Sequence, residues 1–220
     1  LLEGAADLAA AENLALELAD ATLALVGRRG RGVSPERTEQ ITRLRAARAA
    51  LEQGTEPGSG GDADHRGSLL LSNVERELAV SLLLTDAVDE RAELVDAALR
   101  RARSLAPVDA PTLAAALVTR RILPEMAARP DARVADVEEA LRLPAAQLPP
   151  DLRIALHCYR QEDLLQRGDQ TEAAAALDRA FDLVERYPDP YWRWALTAWR
   201  ALGLVIAGDL DRAEATAHEA

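Results

Sequence analysis

Gly168-Asp169-Gln170-Thr171-Glu172-Ala173-Ala174-Ala175-Ala176-Leu177-Asp178-Arg179-Ala180 reads as a tight turn running into a helix. Glycine supplies the backbone freedom of the turn, and Asp is a preferred helix cap. Ala173, Leu177 and Ala180 then fall on one helix face. Forty residues on, Gly208-Asp209-Leu210-Asp211-Arg212-Ala213, with Ala217 and Ala220, repeats the order. Upstream, Ala140 and Ala98 continue the series, each preceded three residues earlier by a valine, Val137 or Val95. Prolines suited to open helices keep nearly the same step at Pro111, Pro150 and Pro190. Two independent markers with one period predict a stacked helical repeat, an architecture that usually binds partners rather than performing chemistry.

Composition agrees with helices. Hydrophobic residues make up 49% of the 220 but aromatics only 3%, so a core must be built from Ala, Leu and Val. The expected fold is all-α, a solenoid of about five helical hairpins with the last incomplete. The net charge of -11 disfavours a nucleic-acid or anionic-membrane surface. All 26 basic residues are arginine, which excludes a phosphate-loop lysine or a Schiff-base lysine within this stretch. The same bias suits a GC-rich genome. One cysteine, Cys158, allows no internal disulfide and fits a reducing compartment. No apolar run is long enough to span a bilayer, and the expected location is cytoplasmic. Both ends read as cuts, so a piece of a larger protein is expected.

Along the chain, residues 1–53 read as an irregular N-terminal helical hairpin region. One helix is expected over 5–26, with a break at Gly27–Gly32, and a second from Ser34-Pro35 to Gln53. The Gly-rich segment 54–67 reads as a flexible loop. Repeats are expected over 68–106, 111–143, 150–187 and 190–220. The first begins with a helix over 68–84, and Asp86 or Asp89 caps the next. Pro124 should kink or shorten a helix over 112–128, before one over 131–143.

The Gly168-Asp169 and Gly208-Asp209 turns, with the small and bulky positions that follow, resemble the tetratricopeptide repeat. The period is nearer 40 than that family's 34, its Trp and Tyr positions fall on Thr197 and Leu204, and its closing Pro is displaced to Pro188. The stretch from Leu94 to Ala220, including Pro190-Tyr191-Trp192-Arg193-Trp194-Ala195-Leu196, is similar to the helical region of large actinobacterial transcriptional regulators. Those join an ATP-binding signal-transduction module to a tetratricopeptide-like array and often a LuxR-type DNA-binding domain. Related arrays also occur beside cyclase-like domains. The resemblance implies an α-solenoid of tetratricopeptide-like hairpins that transmits regulatory signals through other domains of its parent or a protein or peptide partner.

Arg153, His157 and Arg160 share a helix face, and Arg193, Thr197 and Arg200 occupy the matching face one repeat on. These six are candidates for a cationic ladder meeting an acidic peptide or neighbouring domain, and equally for a solvated stripe balancing nearby carboxylates. Trp192, Trp194 and Trp199 crowd one helix, either as core knobs or as the frame of an effector pocket in the region 190–207. His157-Cys158 has neither the geometry nor the companions of a metal or thiol site, and no cofactor is implied. Pairs such as Glu138-Glu139 read as solvated surface. No nucleophile-base-acid signature is present, so catalysis by this stretch is not expected.

Overall fold

A computed structural model describes residues 1–29, 37–54 and 62–219. Within them lie eleven α-helices and one short 3-10 helix, with no strand among the described residues. The helices are α1 (Leu2–Ala11), α2 (Ala15–Arg29), α3 (Arg37–Gly54), α4 (Asp62–Ser81), α5 (Val88–Ser104) and α6 (Ala110–Ile122). The 3-10 turn Pro124–Ala128 follows, then α7 (Pro130–Leu141), α8 (Pro150–Gln166), α9 (Gln170–Arg186), α10 (Pro190–Ile206) and α11 (Leu210–His218). The chain forms two compact units, Leu1–Leu123 and Pro124–Ala220. Residues 68–106 therefore pack in the same unit as the N-terminal helices.

Helix starts follow local chemistry. Asp109, Asp169, Asp189 and Asp209 each accept a backbone N–H from the first turn of α6, α9, α10 and α11, at 2.8 to 3.3 Å. Pro111, Pro150 and Pro190 stand in first turns, where a missing N–H costs nothing. Gly168 and Gly208 hold φ of 79° and 80°, and after each turn the Asp amide bonds back five residues, at 3.0 and 2.9 Å. Left-handed backbone of this kind favours glycine.

In the first unit α4 lies central, packed against α2, α3, α5 and α6. Its Val74, Leu78 and Ala79 are fully buried, and so are Leu44 and Ala47 of α3 and Leu94 and Ala98 of α5. This unit contains no aromatic residue: every Phe, Tyr and Trp of the chain lies between Tyr159 and Trp199. In the second unit α8 and α9 form a tight hairpin, and α10 packs on both. Its core joins Ile154, Cys158, Leu177, Ala180, Leu183, Val184 and Leu196, with Phe181, Trp192 and Trp199 packed against them.

Several expectations are corrected. The single helix over 5–26 is two, because Asn13 takes φ of 55° and its neighbour Leu14 bonds back to Ala9 at 2.9 Å. Asn tolerates left-handed backbone better than most side chains, so it turns the chain without glycine. The second of these helices continues through Gly27 to Arg29. The loop expected over 54–67 is helical at Gly54 and again from Asp62, where Asp62 and Asp64 complement the positive helix start. Gly67 is buried inside α4. The rest of that loop, the Gly30–Gly32 break, the Ser34-Pro35 start and Ala220 lie outside the described residues. The helix expected over 68–84 ends at Ser81. Neither Asp86 nor Asp89 caps α5: Ala87 is the N-cap, its amide bonded to the Thr85 hydroxyl at 3.3 Å. Pro124 shortens the helix before it, which stops at Ile122.

Candidate functional site

The two ladder segments stand on α8 and α10, and their surroundings repeat. Arg160 of α8 pairs with Glu138 of α7 at 3.4 Å, and Arg200 of α10 pairs with Asp178 of α9 at the same distance. Each pair spans 22 residues, and the second lies forty residues after the first. The Arg200 guanidinium also sits 3.9 Å from the centroid of the Phe181 ring, a cation–π contact. Two rungs of the candidate ladder are therefore occupied within the fold. Glu138, read from sequence as solvated surface, is the partner of one of them.

The remaining ladder residues divide. Arg153 is half-buried and Arg193 exposed, and neither side chain makes an ion pair among the described residues. Thr197 is turned inward on its own helix, its hydroxyl donating to the Arg193 carbonyl at 2.9 Å. That bond costs the ladder its neutral rung, because the donor is already used. His157 is half-buried with its Nδ1 enclosed and without a hydrogen-bond partner among the described residues. Burial pushes its pKa down to about 4, and the cations Arg179, Arg160 and Arg153 push the same way. His157 is thus neutral at pH 7 and sits among three guanidinium groups. Arg179 was not a sequence candidate. Its position next to Asp178 on α9, one residue before the buried Ala180, is the only mark it leaves in the sequence.

The tryptophans do not frame one pocket. Trp192 lines a cavity of about 410 Å³ with Pro150, Asp151, Ile154 and Tyr187. Trp199 lines a separate cavity of about 370 Å³ between α8 and α10, with Gln161, Leu165, Leu202 and Ile206. Trp194 points elsewhere, 53% exposed, its ring 6.1 Å from that of Tyr191. Residues two apart on a helix diverge by about 200°, so Trp192 and Trp194 cannot share a wall.

The first unit holds a buried carboxylate that the sequence did not mark. Glu75 is fully buried, 3.2 Å from the Arg101 Nε and 3.8 Å from the Arg48 Nε. Burial raises its pKa, and Arg101 and Arg48 oppose the rise. The arrangement bridges α3, α4 and α5 as a structural ion cluster. Cys158 is buried, which pushes its thiol up to about 12 and leaves it a poor nucleophile. Among the described residues no three His, Cys, Asp or Glu side chains gather as a metal site, and no helix is long and apolar enough to cross a membrane. No protein-family model, no curated protein and no solved structure matches the chain.

Proposed function

We propose that the chain is a non-catalytic, protein-binding regulatory module, a tetratricopeptide-like α-solenoid within a larger cytoplasmic transcriptional regulator. The observation that carries this reading is the common register of α8–α9 and α10–α11. Their turns share one backbone geometry at Gly168 and Gly208, and their ion pairs Arg160–Glu138 and Arg200–Asp178 share one offset. A hairpin copied along an axis presents equivalent side chains at regular intervals, which suits an extended partner better than a reaction centre. Arg153 and Arg193 are equivalent positions left without ion pairs among the described residues, and their guanidinium groups suit carboxylates of an acidic peptide or neighbouring domain. Such contacts would bias the parent between inactive and active states. The net charge of -11 speaks against direct nucleic-acid binding by this stretch. The ATP-binding, LuxR-type parent rests on the sequence resemblance alone.

Fluorescence anisotropy with a short labelled Glu-rich peptide tests the surface. Binding should weaken about tenfold in the Arg153→Glu, Arg193→Glu double variant, the equivalent of about 1.4 kcal/mol. Equal binding by the variant removes these arginines from the site.

A second reading, an effector-sensing domain, is favoured by the two cavities along α10, whose volumes fall in the range of small-molecule sites. Each is walled by one tryptophan, so a metabolite screen read by tryptophan fluorescence tests it. Saturable quenching by a small molecule, lost in Trp199→Leu or Trp192→Leu, would favour this reading over the first.

A further inference from the structure

The cavity of about 370 Å³ between α8 and α10 has apolar walls and one polar group without a partner. Leu165, Trp199, Leu202 and Ile206 form the apolar part. Gln161 lines the same space, yet the residue is only 4% exposed. Its carboxamide makes no hydrogen bond among the described residues. Helix α10 faces it with Gly203, which has no side chain to answer it: a Cβ at that position would stand 3.6 Å from the Gln161 Nε2. The other polar side chains of the lining are engaged. Gln166 donates to the Glu162 Oε1 at 3.4 Å, and the same oxygen accepts from Arg133 at 2.7 Å.

A buried amide without a partner costs stability, so its presence calls for a reason. The repeat supplies none. The ion pairs Arg160–Glu138 and Arg200–Asp178 fix the register between α8 and α10, and in that register Gln161 corresponds to Ala201. Ala201 is buried as well, so α10 fills the equivalent position without a carboxamide. What sets Gln161 apart is the cavity beside it. Space of this volume falls in the range of small-molecule sites, where apolar walls hold a ligand and a few polar groups orient it.

The lining selects the chemistry of the occupant. Among the described residues no arginine lines the cavity, and its one carboxylate, Glu162, is held by Arg133, so neither an anion nor a cation is matched. The Trp199 ring offers a flat apolar face, with the Tyr159 ring 6.1 Å from it. A carboxamide presents a donor and an acceptor side by side, and its complement is an acceptor beside a donor. We propose that this cavity binds an uncharged, planar ring compound with a lactam-type edge, whose carbonyl accepts from the Gln161 Nε2 and whose N–H donates to the Gln161 Oε1. The proposal rests on the effector-sensing reading and names the chemical class of the effector. Binding gives the buried amide the two partners that the fold withholds, and a hydrocarbon of the same shape forfeits that gain.

Quinolin-2-one, a flat bicycle with that edge, is the probe; naphthalene and N-methylquinolin-2-one are its controls. Proton–nitrogen NMR spectra of the 220-residue chain read the site directly. Quinolin-2-one should move the Trp199 indole N–H and the Gln161 side-chain amide together, and leave the indole of Trp194, which lines no part of the cavity, in place. The controls should bind at least about tenfold more weakly. Gln161→Leu should weaken quinolin-2-one about tenfold without weakening naphthalene. Leu202→Trp, at a half-exposed position, should close the cavity and abolish the Trp199 shift with helical circular dichroism unchanged. Naphthalene bound as tightly as quinolin-2-one, or quinolin-2-one binding indifferent to Gln161→Leu, overturns the proposal and leaves the effector-sensing reading standing. No shift at Trp199 with any of the three compounds overturns both for this cavity. If Gln161→Leu loses its helical signal, the comparison of quinolin-2-one with its N-methyl form on the wild type decides alone.

Discussion

His157 should make the second unit lose stability on mild acidification, and its replacement by glutamine should abolish that loss. The imidazole has a pKa of about 4 in the folded chain against 6.5 for the free, unfolded reference, because burial and three nearby arginines disfavour the imidazolium. The sign follows from proton linkage. The unfolded chain takes up the proton first as pH falls, so the stabilisation is complete above about 6.5 and is exhausted near 4. At full effect the difference corresponds to about 3.4 kcal/mol. His157 is only half-buried, and solvent screening reduces this to about 2 kcal/mol. About half of that is lost between pH 7 and pH 5, so the expected change is about 1 kcal/mol. Urea unfolding followed by tryptophan fluorescence isolates the effect, because all three tryptophans lie on α10. Wild type should be about 1 kcal/mol less stable at pH 5 than at pH 7, and His157→Gln should change little between the two. Arg179→Ala should move the NMR titration midpoint of His157 upward. Equal pH sensitivity in wild type and His157→Gln, or a His157 midpoint near 6.5 in the folded chain, would refute the reasoning.

Three further outcomes follow from the packing. Arg101→Met leaves Glu75 buried with only the longer Arg48 contact, and should cost about 2 kcal/mol by circular dichroism melts at neutral pH. Since the Glu75 pKa is raised in the fold, that loss should deepen as pH rises from the usual carboxylate range and shrink in acid; adding Glu75→Gln should recover part of it. Asp169→Ala removes the cap of α9 and should cost about 1 kcal/mol in urea unfolding, with Gly168→Ala costing a similar amount through its positive φ alone, since no atom lies within 4 Å of the added Cβ. Cys158 should react with a thiol reagent only as fast as the second unit opens, so labelling should accelerate in the Asp169→Ala variant; fast labelling in the native wild type would contradict its burial.

The parts of the fold legible in the sequence are those fixed by one residue's local chemistry. Pro150 and Pro190 open helices because a ring without an N–H belongs in a first turn, and Asp169 and Asp209 cap because a short carboxylate reaches the next amides. The alanine ladder is legible for a different reason. Ala98, Ala140 and Ala180 are each at most 1% exposed, at places where neighbouring helices leave room for a methyl group and no more. Other features left weaker marks. Asn13 turns the chain with a side chain that also occurs freely inside helices, so its Ala- and Leu-rich flanks hid the break. Asp62, Asp64 and Gly67 lie in a polar, Gly-rich stretch whose propensity argues against helix, and packing in the first unit overrides it.

The candidate surface was legible only as a face, because pairing depends on the neighbouring helix. Helical spacing put Arg153, His157 and Arg160 on one side of α8, and that grouping alone gives every arginine the same standing. The partners decide otherwise: Glu138 claims Arg160, Asp178 and Phe181 claim Arg200, and Thr197 bonds its own backbone. What translates by forty residues is therefore an ion pair between consecutive helices, together with the turn geometry that positions them. An arginine held by a carboxylate of its own fold must break that pair before it can serve another, whereas Arg193, exposed and without an ion pair among the described residues, need only shed water. The same translation exposes the asymmetry of α10. Its Arg200 is satisfied from within and its Leu196 is buried in one cluster with Ile154 and Cys158 of α8, while Trp194 and Val205 stand half exposed.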